Sequence, residues 1–171
     1  MIKAKKILTA LTAACSMVGF TAEAAEGNII RHPVSNANVP VSAAVETPAN
    51  TSLVYLSGKL PPLQDSSHPS DSPLAYGGDT EGQTVAVLAA IKNTLDDLGL
   101  SLSDIIKVQV FLVGDPALGN KMDLPGFTKG YAKFFGTNAQ TNLPARTLIQ
   151  VSGLANRAFL VEIDVIAARH N

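Results

Sequence analysis

The spacing of apolar residues changes repeatedly along the second half of the chain, and it predicts alternating helices and strands. A helix is predicted from Thr80, where apolar residues recur at three- and four-residue intervals. These residues are Val85, Leu88, Ile91, Leu95 and Leu98. Thr80 and Gln83 have the spacing of a capping box, and Gly99 is a typical helix terminator. The continuous apolar and β-branched stretch from Ile105 to Val113 then indicates a well-buried strand.

A second helix and two further strands are predicted after this strand. The helix covers roughly Leu124 to Phe135, although Gly126 and Gly130 weaken it by about 1 kcal/mol each relative to alanine. Its apolar side carries Leu124, Phe127, Tyr131, Phe134 and Phe135. The strands are predicted over 145–152 and 159–167. The last one alternates strictly, which places Phe159, Val161, Ile163 and Val165 on one face.

The first half of the chain has weaker patterns. Residues 25–37 are polar and are expected to form an irregular N-terminal segment. Two short apolar stretches, 41–45 and 53–56, predict a hairpin around the turn-rich residues 48–51. Residues 59–78 are rich in proline and serine without periodicity, so we expect a surface loop near a site mouth or an interface.

The order of these elements predicts an α+β protein. A single sheet of this kind needs its apolar face covered, and the two amphipathic helices provide cover on one side. Aliphatic residues, including Leu148 and Ile166, are expected on the other face. Association of subunits through that face would remove it from water.

The first 24 residues have the pattern of a secretory signal peptide. Three lysines precede an apolar stretch over 7–20, and Ala22-Glu23-Ala24 supplies the small residues of a cleavage site. Cleavage near Ala24 predicts a periplasmic or secreted protein. The apolar stretch is short for a hydrocarbon core of about 30 Å, so no membrane span is expected. A buried N-terminal helix and lipidation at Cys15 are the alternatives.

Composition and motifs exclude several function classes. Without the first 24 residues the chain is mildly acidic and has no basic run, which argues against nucleic-acid binding. The sequence contains no GxSxG, CxxC, HExxH or Walker motif, and its three histidines are isolated from one another. We therefore expect no metal and no other cofactor.

Arg146 and Glu162 are the charged residues whose positions call for an explanation. Arg146 follows Pro144 and Ala145 at a strand start, and Glu162 lies among apolar residues of the last strand, where an unpaired buried carboxylate would be costly. If the two strands formed a hairpin turning near Ala155, a stagger of roughly 7 Å would let the side chains meet. A structural ion pair and separate surface contacts are open alternatives, because register is not readable from the pattern.

Five segments carry a family resemblance. They are LVYLSGKLP, GDTEGQTVAVLAAIKNTLDDLGLSLSDIIKVQVFL, YAKFFG, LPARTLIQV and LVEIDVIAAR. In order and spacing they resemble the RidA/YjgF (L-PSP) family over about residues 38–169. The resemblance implies a chorismate-mutase-like fold, a mixed sheet with two helices on one face. It also implies a homotrimer with sites in the clefts between subunits. Active members hydrolyse 2-imino or enamino acids to 2-oxo acids and ammonia without a cofactor.

The resemblance also implies roles for individual residues. Arg146 matches the family's carboxylate-binding arginine, and Glu162 matches its water-orienting glutamate. Ser57 and Gly58 match the turn that lines the cleft. The backbone beside Leu148 matches the part that contacts the imine nitrogen.

Two departures from the family pattern keep a second function open. Val41 stands where the family usually has a tyrosine that helps close the pocket, and Thr128 stands where an asparagine is common. These changes, together with export, favour a non-catalytic periplasmic binding protein for small carboxylates such as 2-oxo acids. RNA cleavage or translation inhibition, also attributed to family members, is disfavoured by the acidic charge.

Overall fold

The computed structural model describes residues 27–35 and 39–169. The predicted signal peptide and Cys15 lie outside the described residues. The strands and helices are β1 (Ile30–Pro33), β2 (Ser42–Glu46), β3 (Ser52–Tyr55), α1 (Thr80–Asp97), β4 (Ile105–Val113), α2 (Leu124–Ala132), β5 (Ala145–Val151) and β6 (Val161–Arg169). Within the described part of the chain, neither helix is long and apolar enough to cross a bilayer.

The six strands form one mixed sheet in the order β1-β2-β5-β4-β6-β3. β4 pairs in parallel with β5 and antiparallel with β6. Both helices pack on the same face, because their buried residues share one apolar core with β4 and β6. The predicted α+β class, with a mixed sheet and two helices on one face, is confirmed.

The predicted hairpin is wrong. β2 pairs with β1 and β5, whereas β3 pairs with β6 at the other edge of the sheet. The prediction of an irregular N-terminal segment is also corrected, because Ile30–Pro33 form β1. Arg31 anchors this strand: its guanidinium donates hydrogen bonds of 2.8–3.0 Å to three carbonyl oxygens. These acceptors lie far along the chain, so no local pattern reveals the strand.

Helix α1 begins as expected, but with a different cap. The Asp79 carboxylate accepts a hydrogen bond of 2.8 Å from the Gly82 amide, so Asp79 is the N-cap and the predicted capping box on Thr80 and Gln83 is wrong. The Gln83 side chain instead lies fully buried. Leu88, Ile91 and Leu95 are buried as predicted, while Leu98 is 41% exposed beyond the end of the helix.

Gly130, one of the two glycines expected to weaken α2, is required by the packing of the two helices. A Cβ on Gly130 would lie 2.8 Å from the Thr84 Cβ and 2.9 Å from the Glu81 carbonyl oxygen. Glycine therefore allows α1 and α2 to approach closely. α2 ends at Ala132, three residues earlier than predicted, although Phe135 remains buried.

The alternation in β6 decides which residues face the helices. Val161, Ile163 and Val165 are buried in the core, as predicted. Glu162, Asp164 and Ile166 therefore lie on the opposite, helix-free face, which we call the open face. In β5, Leu148 is opposite the buried Val110 and packs against the core. Its predicted place on the open face is wrong, because the parallel register with β4 puts it under the helices.

The segment 59–78 is tied down at both ends. The backbone of Lys59 pairs with Ile163 through hydrogen bonds of 2.9 and 3.1 Å. Near the other end, the ring of Tyr76 packs edge-on against Phe159 at 4.9 Å between centroids. An ion pair between Asp71 and Arg157 adds a surface contact. The start of this segment therefore lies directly beside the strand that carries Glu162.

Candidate active site

The Arg146 guanidinium lies on two aromatic rings of α2. Arg146 is opposite the buried Val108 in the sheet register, so its side chain points toward the helices. Its Cζ is 4.7 Å from the centroid of the Tyr131 ring and 5.2 Å from that of Phe127. Cation–π attraction at these distances fixes the guanidinium against the rings. Phe127, Tyr131 and Phe135 form what we call the aromatic shelf.

Two polar atoms at this contact are buried without a hydrogen bond in the described part of the chain. Arg146 Nη1 and the Tyr131 hydroxyl are both buried and have no hydrogen-bond partner among the described residues. They are near enough to interact electrostatically, without hydrogen-bonding geometry. Burial lowers the pKa of Arg146, and Tyr131 opposes that change. Burial likewise raises the pKa of Tyr131. A partly desolvated guanidinium with an unmet donor is suited to bind an anion.

Sequence reasoning misses the aromatic shelf. Tyr131 stacks on Phe135 with 4.5 Å between centroids, and the Phe127 ring is 5.5 Å from that of Tyr131. From the sequence, these aromatic residues are predicted to form the apolar side of a helix that packs against the core. The structure confirms that they are buried and shows that the same stripe also supports Arg146.

Glu162 lies on the open face with its carboxylate against the backbone of Gly58. A Cβ on Gly58 would lie 2.2 Å from Glu162 Oε1 and 2.8 Å from Asp164 Oδ1. Glycine is therefore needed for the close approach of the two carboxylates. Partial burial raises the pKa of Glu162, and the charge of Asp164 raises it further. Ser57, exposed and next to Gly58 in the chain, lies beside this group.

One chain does not bring Arg146 and Glu162 together. β4 lies between β5 and β6, so the predicted hairpin contact and the structural ion pair are both wrong. The two side chains also extend from opposite faces of the sheet. Two strand spacings and three residues of rise place their Cα atoms roughly 14 Å apart. The described chain therefore contains two separate polar groups, one on each face.

The remaining candidate residues lie on the Arg146 side. Val41 precedes Ser42, which pairs with Ala145, the neighbour of Arg146. Val41 also lines a cavity of about 560 Å³ together with Phe135. Leu148 follows Arg146 on the same side of β5.

Thr128 is occupied within its own helix. Its hydroxyl donates a hydrogen bond of 2.8 Å to the Leu124 carbonyl oxygen. A donor used in this way is not free for a ligand, unlike the amide of an asparagine. Over residues 27–35 and 39–169, no group of three or more His, Cys, Asp or Glu side chains could hold a metal ion.

The contact at Gly58 gives a first prediction. Gly58→Ala is expected to push the Glu162 carboxylate outward into water, because the new Cβ would overlap Oε1. The pKa of Glu162 should then fall toward its ordinary value, since partial burial is the main cause that raises it. NMR titration of the Glu162 carboxyl measures this. Gly153→Ala is the control, because that glycine has nothing within 4 Å of an added Cβ. An unchanged Glu162 titration in Gly58→Ala would contradict the contact.

The fold and these groups define a class of protein. It is an α+β protein whose mixed sheet has an arginine under the helices and a carboxylate on the open face. Residues 32–169 match the family model described as Endoribonuclease L-PSP. The match covers most of the chain, and the protein belongs to this family.

Individual relatives agree with this membership. A RutC family protein of Pyrococcus horikoshii is 38% identical over 90 residues, 53% of this chain and 63% of that protein. The aligned part therefore spans less than two thirds of that relative. The 3-aminoacrylate deaminase RutC of Acinetobacter baylyi is 31% identical over 128 residues, 75% of this chain and 88% of that protein.

A solved structure resembles the fold. The Rid family protein YyfB of Yersinia pestis superposes with a TM-score of 0.57 at 21% identity. The superposition covers 76% of this chain and 87% of that chain. At this identity the likeness concerns the fold alone.

Proposed function

We propose that the protein hydrolyses 2-imino and enamino acids to 2-oxo acids and ammonia. The observation that carries the proposal is the Arg146 guanidinium, fixed on the aromatic shelf with a buried Nη1 that has no hydrogen-bond partner among the described residues. A guanidinium binds a carboxylate through two parallel charge-assisted hydrogen bonds. Such a contact fixes the plane of a 2-imino acid and the position of its C=N carbon.

The chemistry then needs one proton carrier. Glu162 in its ionised form takes a proton from water as the oxygen bonds to the C=N carbon, and it passes that proton to the nitrogen, which produces a neutral carbinolamine. Glu162 then carries the hydroxyl proton of the carbinolamine to the nitrogen. As the C–O bond becomes a carbonyl, the C–N bond breaks and ammonia leaves with the bonding electrons. The 2-oxo acid remains, and no protein nucleophile is required. Because imines hydrolyse readily in water, a positioned carboxylate and a carboxylate clamp suffice.

The separation of Arg146 and Glu162 favours a site shared between subunits. We place Arg146 of one subunit opposite Glu162 of a neighbouring subunit in a homotrimer. The open face supports such an interface, because it exposes large apolar residues next to polar ones. Tyr55 is 70% exposed, Ile149 45% and Leu53 42%. Apolar exposure of this kind is typical of interaction surfaces.

Relatives support the substrate class, and the sequence supports the location. One family member, about a third identical to this chain, is named for deamination of 3-aminoacrylate, which is an enamino acid. The N-terminal pattern over residues 1–24 supports export to the periplasm or the medium. An exported enzyme would act on imines formed outside the cytosol.

Mixing two inactive variants tests the shared site directly. At subsaturating concentrations of 2-iminobutyrate generated in situ, Arg146→Ala and Glu162→Gln are each expected to lose nearly all turnover. Random mixing of their subunits leaves about a quarter of the interfaces with both residues intact, so roughly that share of the activity should return. Each variant alone, denatured and refolded in the same way, is the control. An inactive mixture of correctly assembled trimers would contradict the shared site. Full activity of either variant would contradict the reaction.

Non-catalytic binding of small carboxylates is the second candidate. The internal hydrogen bond of Thr128 favours it, because this position offers no free donor to a substrate. A thermal shift with 2-oxobutyrate, combined with no turnover of 2-iminobutyrate by the native protein, would select this function.

A further inference from the structure

Glu162 and Asp164 form a carboxylate pair over a single glycine. They are two residues apart on β6 and share the open face. A Cβ on Gly58 would lie 2.2 Å from an oxygen of Glu162 and 2.8 Å from an oxygen of Asp164. The distance between these two oxygens is therefore at most the sum of these values. Backbone hydrogen bonds of Leu56 to Val165 and of Lys59 to Ile163 hold Gly58 in place beside β6. Two negative groups are therefore confined to one small part of the site.

The surroundings do not neutralise this pair. On β4, Phe111 lies opposite Glu162 and Gln109 lies opposite Asp164. Among the described residues, the titratable groups from neighbouring elements are two lysines and Tyr55 of β3, which lines the same cavity as Asp164. Lys107 lies two residues before Gln109 on the same face of β4. Its ammonium donates a hydrogen bond of 2.7 Å to the Thr147 hydroxyl. Lys59 follows Gly58, and neither lysine forms an ion pair with either carboxylate within residues 27–35 and 39–169.

We propose that Asp164 is a positioning residue that acts through Glu162, making this neighbouring carboxylate a stronger base for the attacking water. This inference rests on the proposed deaminase function. Repulsion between two carboxylates disfavours ionisation of both, and so favours a proton on one of them. A base is most effective when it titrates near the working pH.

The directions of the pKa changes agree with this assignment. Burial alone raises the pKa of Asp164, while burial and the charge of Asp164 both raise that of Glu162. While Asp164 is ionised, its charge therefore raises the proton affinity of Glu162 above what burial alone gives. The arrangement has a cost, because repulsion within the folded state destabilises it above the pH at which both groups ionise.

Two measurements on Asp164→Asn test the inference. Without the neighbouring charge, the carboxyl titration of Glu162, followed by NMR, should move to lower pH. The acid limb of kcat/KM for 2-iminobutyrate should move in the same direction, because Glu162 then stays ionised in more acidic solution. On the plateau above that limb the rate should fall severalfold, because the weaker base accepts a proton less readily.

Charge-conserving and distant variants separate this effect from a structural one. Asp164→Glu retains the charge and should keep the native limb, while Asp97→Asn neutralises an exposed carboxylate at the end of α1 and should change nothing. A Glu162 titration in Asp164→Asn identical to the native one would overturn the coupling. A titration that moves while the limb of an active enzyme stays in place would overturn the role of Asp164 in turnover. Absence of turnover in the native protein would instead contradict the deaminase function itself, together with any catalytic use of the pair.

Discussion

Replacing Arg146 with alanine is expected to lower kcat/KM for 2-iminobutyrate by about 100- to 1,000-fold. Truncating one partner of a desolvated charge pair costs roughly 3–4 kcal/mol, and each 1.4 kcal/mol is a factor of ten. Most of the loss should appear in KM, because in the proposed reaction the guanidinium would bind the substrate carboxylate before the chemical step as well as during it. Arg146→Lys should also be impaired, because an ammonium lacks the planar pair of donors. Steady-state kinetics with in situ imine generation measures both variants.

A ligand-binding readout separates this loss from misfolding. 2-Oxobutyrate should raise the melting temperature of the native protein and leave that of Arg146→Ala unchanged. Arg157→Ala is the matched control, because Arg157 is an exposed arginine that pairs with Asp71 on the surface. An Arg146→Ala protein that is still stabilised by 2-oxobutyrate would place the carboxylate site elsewhere. The Arg157→Ala variant should behave as the native protein does in both assays.

Local periodicity made much of the fold predictable. β4 has the bounds expected from its continuous apolar stretch. β6 buries Val161, Ile163 and Val165 as expected, but it begins two residues later than predicted, so Phe159 lies outside the strand. Long periodic segments carry this information because side-chain direction follows the period of the element. β2 and β3 have five and four residues and lie near opposite edges of the sheet. Their partners are distant in sequence, so neither their pairing nor the existence of β1 follows from local pattern.

The sequence singles out the residues of the proposed site but not their geometry. Arg146 and Glu162 stand out through motif resemblance, but their faces depend on the register of β4 with two different neighbours. The importance of Gly58 lies in a contact with a strand about a hundred residues later, which no local signal encodes. Tyr131 has the spacing of a core residue, and it is buried in the core. Its contact with the Arg146 guanidinium could not be predicted, because it depends on the direction of the Arg146 side chain.

Gln83 is a core residue whose role also could not be predicted from local pattern. Its spacing from Thr80 imitates a capping box, yet its side chain is buried and connects α1 to the segment before β6. Its Nε2 donates a hydrogen bond of 2.8 Å to the Ala158 carbonyl oxygen, and its Oε1 accepts one of 2.7 Å from the Leu160 amide. Both partners are backbone groups, so Gln83 satisfies polar atoms that would otherwise be buried without partners.

Gln83→Leu is therefore expected to destabilise the protein by about 3 kcal/mol, because each buried backbone group left unpaired costs roughly 1–3 kcal/mol. Equilibrium urea unfolding at one fixed protein concentration measures this free energy. Gln64→Leu is the control, because the exposed Gln64 amide donates only a long hydrogen bond of 3.3 Å to Pro62, and its loss should change stability by less than about 0.5 kcal/mol. Leu160 is two residues before Glu162, so Gln83→Leu should also lower kcat in the protein that remains folded. Native stability in Gln83→Leu would mean that water or a rearranged backbone replaces both hydrogen bonds.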